Sequence, residues 1–432
     1  MTMRGITLAD LDPSGYRALT RRSAVPDASV RTAAAAIVER VRLGGDAALL
    51  AANGDFGGGP AIGPVRVPSE VIGASFGAAG PAVRRALKAA AGNIRMVHDR
   101  QRPVDDRVEV VPGVVVERRW SAVGRVGVYV PGGRAAYPSS VLMGVVPAQV
   151  AGVRDIVVVS PGDDAGSVHP LVLAACALLG VDEVYATGGA QAIGALAHGT
   201  ESIDPVDLIV GPGGPWVTAA KLAVYGVCGV DLPAGPSEAL IVVDATSDPA
   251  VAAADLLCQA EHGPDSPVVL VSDDESTLDA VLTEAALQLV DLERADLIKA
   301  SLDDHGMAVL APDLDAALEF AEAWAPEHLT IQTANASRDA GRVRSAGSVF
   351  VGRWTPESAG DYATGANHVL PTGGLARSYG PLAVEDFGSW RQVQELTREG
   401  LESVAPTIRD LAGAEGLSAH ARCVDVRFEE RV

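Results

Sequence analysis

From residue 123 onward, short apolar runs end in glycine- or proline-rich turns and recur about one strand-helix unit apart. RVGVYVPGG, DIVVVSPG, VDEVYATGG and VDLIVGPGG have cores beginning near Val126, Ile156, Glu183 and Leu208. Runs this short are too brief for a buried helix and suit strands covered on both faces, with the intervening helical segments making neighbouring strands parallel. A second series starts at ALIVVDAT (239–246) and continues through PVVLVSDD, MAVLAP, HLTIQT and SVFVGR. The chain therefore reads as α/β, with two Rossmann-like parallel-sheet modules, a helical N-terminal region and an extended helical C-terminal tail.

Around these modules the pattern is helical. Residues 1–25 read as an N-terminal helical segment. RTAAAAIVERVRLGGDAALLAANGDF (31–56) carries apolar residues at helical spacing and is expected to stop at Gly-Gly and then Asn-Gly. PAVRRALKAAAGNIRMVHDRQ (81–101) is a second amphipathic segment, and VEVVPGVVVERRW (108–120) reads as a pair of short strands. The helical region is expected to pack on the second module. That gives a larger domain of 26–122 plus 238–385, beside a domain of 123–237. Residues 386–432 read as a helical tail with one short strand at CVDVRF.

Composition narrows the function classes. The 432 residues carry 55 acidic against 34 basic side chains, a net charge of −21, and no Lys/Arg-rich run offsets it. Such a surface repels nucleic acid and anionic lipid, although a phosphate-bearing cofactor can still bind on backbone N–H groups and helix N-termini. The four cysteines stand far apart without CxxC spacing and read as reduced, mostly buried thiols. MTMRGITLADLDPSGYRALTRR lacks the apolar core of a signal peptide, and LVLAACALLGV (171–181) is too short to span a bilayer. A cytoplasmic protein without membrane or nucleic-acid partners is expected.

Eight histidines are present, and four sit in polar company. CQAEHGPDS places Gln259 and His262 three residues apart on one helix face, with Gly263-Pro264 ending the helix beside them. WAPEHLTI sets Glu327 and His328 just before a strand. ESAGDYATGANHVLPTGG holds Asp361 and His368 in a Gly-rich loop read as structureless, and EGLSAHARC brings Glu415 and His420 near the terminus. Singly, each also fits a bland role: a surface or capping histidine, a helix start, a loop tied by its own side chains. Together, two histidines, an aspartate and a glutamine form an N/O metal set. The absence of thiolates favours a catalytic metal over a structural one. Glu327, His328 and His368 remain for proton transfer. Neither module opens with GxGxxG. The turns GPGG (211–214) and TGGAQAIG (187–194) fall at the strand ends where open α/β sheets bind ligands, but taken alone they are weak phosphate signals.

The segments VGVYVPGGRAAYPSSVLMGVVPAQVAGV, VDEVYATGGAQAIGALAHGT, AGPSEALIVVD, LLCQAEHGPDSPVVLVS, APEHL, GDYATGANHVLPTGG and AEGLSAHA resemble the histidinol dehydrogenase family over about residues 25–425. The resemblance implies two successive NAD-dependent oxidations of L-histidinol, alcohol to aldehyde to carboxylate, in a homodimer whose tail reaches the partner's site. It implies one zinc per subunit on Gln259, His262, Asp361 and His420. It gives substrate contacts to Ser237, Glu327, His328, His368 and Glu415, as well as to the four metal ligands. His328 resembles the general base and Glu327 the group that activates water. Tyr129 and Gln191 match the NAD side, as does Gly214, where the family usually has Asn. Two other readings compete: an NAD-dependent paralogue acting on another small alcohol, and a metal-holding homologue without activity. Glu415 disfavours an anionic substrate, and the Glu327-His328 pair is not needed merely to hold metal.

Overall fold

The computed structural model describes residues 2–132 and 136–429; residues 133–135 of the first resembling segment lie outside the described residues. The chain divides into two compact units, residues 1–101 with 123–387 and residues 102–122 with 388–432.

The first unit contains two parallel sheets. The strands Arg125–Tyr129, Asp155–Ser160, Val184–Ala186, Leu208–Val210 and Gly229–Val230 form one of them, in the order 3-2-1-4-5 when numbered along the chain. Ala239–Val243, Val268–Ser272, Gly306–Leu310, His328–Gln332 and Ser348–Val351 repeat that order in the second, with Arg4–Thr7 added in parallel beside Gly306–Leu310. The central strands are buried along their length, as helices on both faces require. In each sheet the chain reverses direction of growth between the first and fourth strands, which opens a crevice there. The first sheet presents its carboxyl ends to the site: Tyr129 closes its first strand and the Gly211–Pro215 turn follows its fourth. The second presents its amino ends, because Ala239 and His328 are register partners at the starts of adjacent strands.

Several expectations change. The first 25 residues are not purely helical, since Arg4–Thr7 is an edge strand ahead of the helix Pro13–Thr20. The helix Ala28–Phe56 is interrupted at Gly45 (φ 54°) but continues through Asn53-Gly54 to Phe56. Asn53 is buried and takes hydrogen bonds from Thr187 (3.1 Å) and Gln191 (3.3 Å), so it joins a core rather than a turn. This helix packs on Gly189–His198 and Pro215–Val224, while Ser69–Ala78 packs on Pro170–Leu179 and Pro81–His98 on Pro138–Ala151. The helices between Ala28 and His98 therefore cover the 123–237 module, not the second one, whereas Pro13–Thr20 packs on Leu314–Trp324 of the second. Amphipathic periodicity defines an apolar face but not the surface that will receive it.

In the second unit, Asp106–Val111 and Val114–Ala122 form the expected strand pair, and Gly388–Leu396 joins them in an antiparallel sheet. The helices Arg398–Ala414 and Ser418–Asp425 follow. The strand expected at CVDVRF is absent: Cys423–Asp425 finish a helix whose Asp425 takes a hydrogen bond from Arg409 (2.7 Å). The tail's strand lies instead at Gly388–Leu396, where Trp390 faces Trp120 across the ladder and Arg118 stacks 3.9 Å above the Trp390 ring. Cross-strand partners distant in sequence decide that segment.

Candidate active site

The site grows from the amino ends of the second sheet. The turn Pro236-Ser237-Glu238 feeds the strand Ala239–Val243, and Pro326-Glu327 feeds His328–Gln332. The ladder brings the two turns together: His328 N–H donates to the Glu238 carbonyl (3.2 Å), and Glu238 N–H donates to Glu327 Oε2 (2.9 Å). Ala325, just before the pair, is the one non-glycine residue with positive φ (52°) among the described residues. Such a backbone is uncommon outside glycine and marks the chain's sharp entry into the site.

The helix Pro249–Ala260 returns antiparallel to its strand and delivers Gln259 in its last turn to the same edge. Gln259 is fully buried. Its Oε1 accepts from His328 Nδ1 at 3.1 Å and its Nε2 donates to Ser237 Oγ at 3.2 Å. An amide oxygen can only accept, so Nδ1 of His328 carries the proton and Nε2 is left as a free base. Burial first, then His262 and His368, depress His328 to about 3. The imidazole is thus uncharged for a different reason from the near-neutral titration that its type suggests. Burial acts oppositely on Glu327, holding its carboxyl well above the usual range against the hydrogen bonds from Glu238 and Ser237.

His262 sits just past the helix end, where Nδ1–H donates to the Gln259 carbonyl (3.2 Å) and leaves Nε2 available. Asp361 is 3.7 Å from His368 Nδ1. The segment read as structureless begins with a helix, Glu357–Tyr362, before entering its loop. Gly365 (φ 86°) makes that loop possible, since a Cβ there would stand 2.4 Å from the Asn93 carbonyl oxygen. Asn367 donates to the Met143 carbonyl (3.0 Å) and accepts from Val369 N–H (2.9 Å), fixing the backbone beside His368.

The sequence reading did not single out Glu357. This side chain is 1% exposed and groups with His262 and Asp361, one ligand atom of each lying within 4.8 Å of the others. Its Oε2 is 3.8 Å from His328 Nδ1, while its Oε1 is buried with no hydrogen-bond partner among the described residues. Burial, followed by Asp361, Glu327 and Asp255, pushes its carboxyl well above the usual range. A signal for it existed, because Glu357 and Asp361 are four residues apart and share a helix face once ESAGDY is helical. A second omission was Glu238. Its buried carboxylate pairs with Arg22 and accepts from Gly373 N–H (3.1 Å), tying the N-terminal segment and the His368 loop to the Pro236-Ser237-Glu238 turn.

Ser237, His262, Glu327, His328, Asp361 and His368 line one cleft of about 260 Å³, together with the Pro212–Pro215 turn of the first sheet. An apolar chamber of about 580 Å³ shares His262 and Asp361 with it. Of the expected cofactor residues only Gly214 lines the cleft. Tyr129 is buried and its hydroxyl accepts from Gly189 N–H (3.2 Å), while Gln191 donates to the Gly57 carbonyl (3.0 Å). Both shape the turn from behind. Glu415 and His420 belong to the second unit, where both are exposed: Glu415 caps the helix Arg398–Ala414 and His420 lies on Ser418–Asp425. The four cysteines are free; Cys176 is buried and Cys423 exposed. No helix among the described residues is long and apolar enough to cross a membrane.

A buried carboxyl beside an uncharged imidazole, in a cleft between two parallel α/β sheets, fits the class of α/β dehydrogenases. The family model for histidinol dehydrogenase matches residues 20–428. A histidinol dehydrogenase of Halobacterium salinarum is 49% identical over 98% of this chain and 99% of its own length, and one of Nocardia farcinica is 47% identical over 99% of both. A crystal structure of histidinol dehydrogenase from Elizabethkingia anophelis superposes with a TM-score of 0.92 at 35% identity, covering 98% of each chain. The chain belongs to the histidinol dehydrogenase family.

Proposed function

We propose that this protein oxidises L-histidinol to L-histidine through a retained histidinaldehyde, using two NAD and one zinc per subunit. It acts as a cytoplasmic homodimer in which each site draws residues from both chains. The observation that carries this reading is the pairing of an uncharged His328, its Nε2 free, with a buried Glu327 in one cleft.

The residues suit a divalent metal. His262 donates its Nδ1 proton to a backbone carbonyl, as metal-bound imidazoles do, and beside it a buried carboxylate oxygen has no hydrogen-bond partner among the described residues. Gln259, His262 and Asp361, with His420 of a partner chain, would hold zinc. Once bound, zinc would orient the imidazole and amine of histidinol. The cofactor side fits as well. A Cβ on Gly214 would meet nothing within 4 Å, so the N-terminus of Pro215–Val224 opens on free space where anionic phosphate is favoured. NAD would accept the two hydrides.

His328 Nε2 takes the hydroxyl proton as hydride leaves the carbinol carbon, giving the aldehyde. Glu327, as the carboxylate, takes a proton from water as its oxygen adds to the aldehyde carbon. Once His328 has released its first proton to solvent, it removes a hydroxyl proton from the hydrate, the second hydride leaves, and the resulting acid ionises to the carboxylate. The test is a count of NADH produced per histidinol consumed. Two are expected, and a ratio of one would reduce the enzyme to a simple alcohol dehydrogenase.

Gly214 allows a separate check. Its φ of −68° is ordinary, so the glycine is not there for a left-handed backbone, and the helix it begins has no side-chain cap. Gly214→Asn should cap that helix, adding a few tenths of a kcal/mol to stability. It should also lower KM for NAD with little change in KM for histidinol. A raised NAD KM would show that the open space at Gly214 is itself needed by the cofactor.

A further inference from the structure

We infer that the buried pair Lys221–Asp231 positions the cofactor turn, holding Gly211–Pro215 in the shape that receives NAD. The inference rests on the cofactor reading above and adds two positioning residues to it.

The pair is built from three elements around the first sheet. Lys221 lies on the helix Pro215–Val224, Asp231 directly follows the strand Gly229–Val230, and Gly211 directly follows Leu208–Val210. Lys221 Nζ is 2.6 Å from Asp231 Oδ1, and both side chains are almost wholly buried. Between them they take both main-chain polar groups of Gly211. The Gly211 N–H donates to Asp231 Oδ2 (2.7 Å), and the Gly211 carbonyl accepts from Lys221 Nζ. On its other side the turn has no room to retreat, because a Cβ on Gly211 would stand 2.1 Å from the Tyr129 carbonyl oxygen. The next four residues, Pro212 to Pro215, line the cleft, and the ion pair lies behind them.

Stability alone accounts poorly for such a pair. Taking two charges out of water is costly, and well-packed apolar side chains in their place are often as stable. Apolar side chains cannot hold a peptide N–H and a peptide carbonyl at once. A turn rich in glycine is conformationally permissive, so its direction must be set from outside. Thr218 extends the arrangement, since its hydroxyl donates to the Ala234 carbonyl, three residues before Ser237. The helix that carries Lys221 thus braces both the cofactor turn and the chain leading into Ser237.

The experiment uses the full-length enzyme, with NADH as the probe. Asp231→Asn can still accept from Gly211 N–H but no longer holds Lys221 by charge. The double variant Lys221→Met/Asp231→Leu replaces the whole pair with apolar volume. NADH affinity is read from nicotinamide fluorescence, amide exchange across 208–217 by mass spectrometry, folding from thermal melts, and histidinol KM by steady-state assay. If the turn keeps its receptive shape only about a tenth of the time without the pair, apparent affinity falls about 10-fold. That loss is expected in both variants, with faster exchange across 208–217 and a histidinol KM within about twofold of the parent. The double variant should melt near the parental temperature and still bind NADH weakly, a combination that a merely structural pair does not give. NADH affinity within about twofold of the parent in either folded variant, or equal losses for NADH and histidinol, overturns the inference. In the parent, NADH should itself slow exchange across 208–217, and no change there overturns the inference whether or not the variants fold. A parent that binds no NADH at all sinks the cofactor reading, and this inference with it.

Discussion

His328→Asn is expected to slow both oxidations by about 10²–10⁴-fold, the usual loss when a positioned acid–base group is removed. Asparagine can still donate to Gln259 Oε1 in place of Nδ1–H. It has no second nitrogen to carry the lone pair that Nε2 offers, so the local hydrogen bond survives while the base disappears. The strand beginning at His328 is held by main-chain bonds to Glu238 and to the Ser348 strand, which the substitution leaves in place. Tm should therefore change little, and loss of activity without loss of fold is the diagnostic pair. Glu327→Gln should behave differently. Its Oε1 can still accept from Glu238 N–H, but an amide cannot take a proton from water, so the aldehyde step should suffer most. Supplying histidinaldehyde directly separates the two variants. If Glu327→Gln oxidises it at the parental rate, Glu327 does not activate the water.

Mixing His328→Asn with His420→Ala should restore activity that neither variant has alone. Glu415 and His420 are exposed on the second unit's helices, as is Leu417 between them. An exposed histidine that ligates metal must be covered by something, and a two-fold partner supplies that cover symmetrically. If each tail completes the other chain's site, a mixed dimer has one site with both defects and one with neither. With equal mixing, half the dimers are mixed, and activity should return to about a quarter of the parental value. If His420 instead serves its own chain, every site keeps one defect. Demonstrated subunit exchange without recovered activity would rule out the shared site.

Much of the site was legible because its residues sit where periodic patterns break. Gln259 and His262 precede Gly263-Pro264, and Glu327-His328 open a strand, so their placement follows from local structure. Glu357 was not legible in this way. The glycines of ESAGDYATG suggested a loop, and only the folded helix puts its carboxylate beside Asp361. Glu238 was missed for a related reason. A glutamate opening an apolar strand looks like an exposed terminus until Arg22, more than two hundred residues earlier in the chain, is found against it.

The sequence by itself determined the two parallel sheets, since runs such as ALIVV and VVLVS are apolar on both faces and can be satisfied only between layers of helices. It also singled out Gln259, His262, Glu327, His328, Asp361 and His368, which the fold brings to one edge of the second sheet. Tertiary structure decided where the N-terminal helices went, because an apolar stripe fits either module until shapes are matched. It decided that Gly388–Leu396 would be a strand, because its partner, Val114–Ala122, lies far back in the chain. It decided, finally, the protonation of the site. Burial drives Glu327 and Glu357 up and His328 down, and solvent exclusion arises only when the two sheets face one another across the cleft.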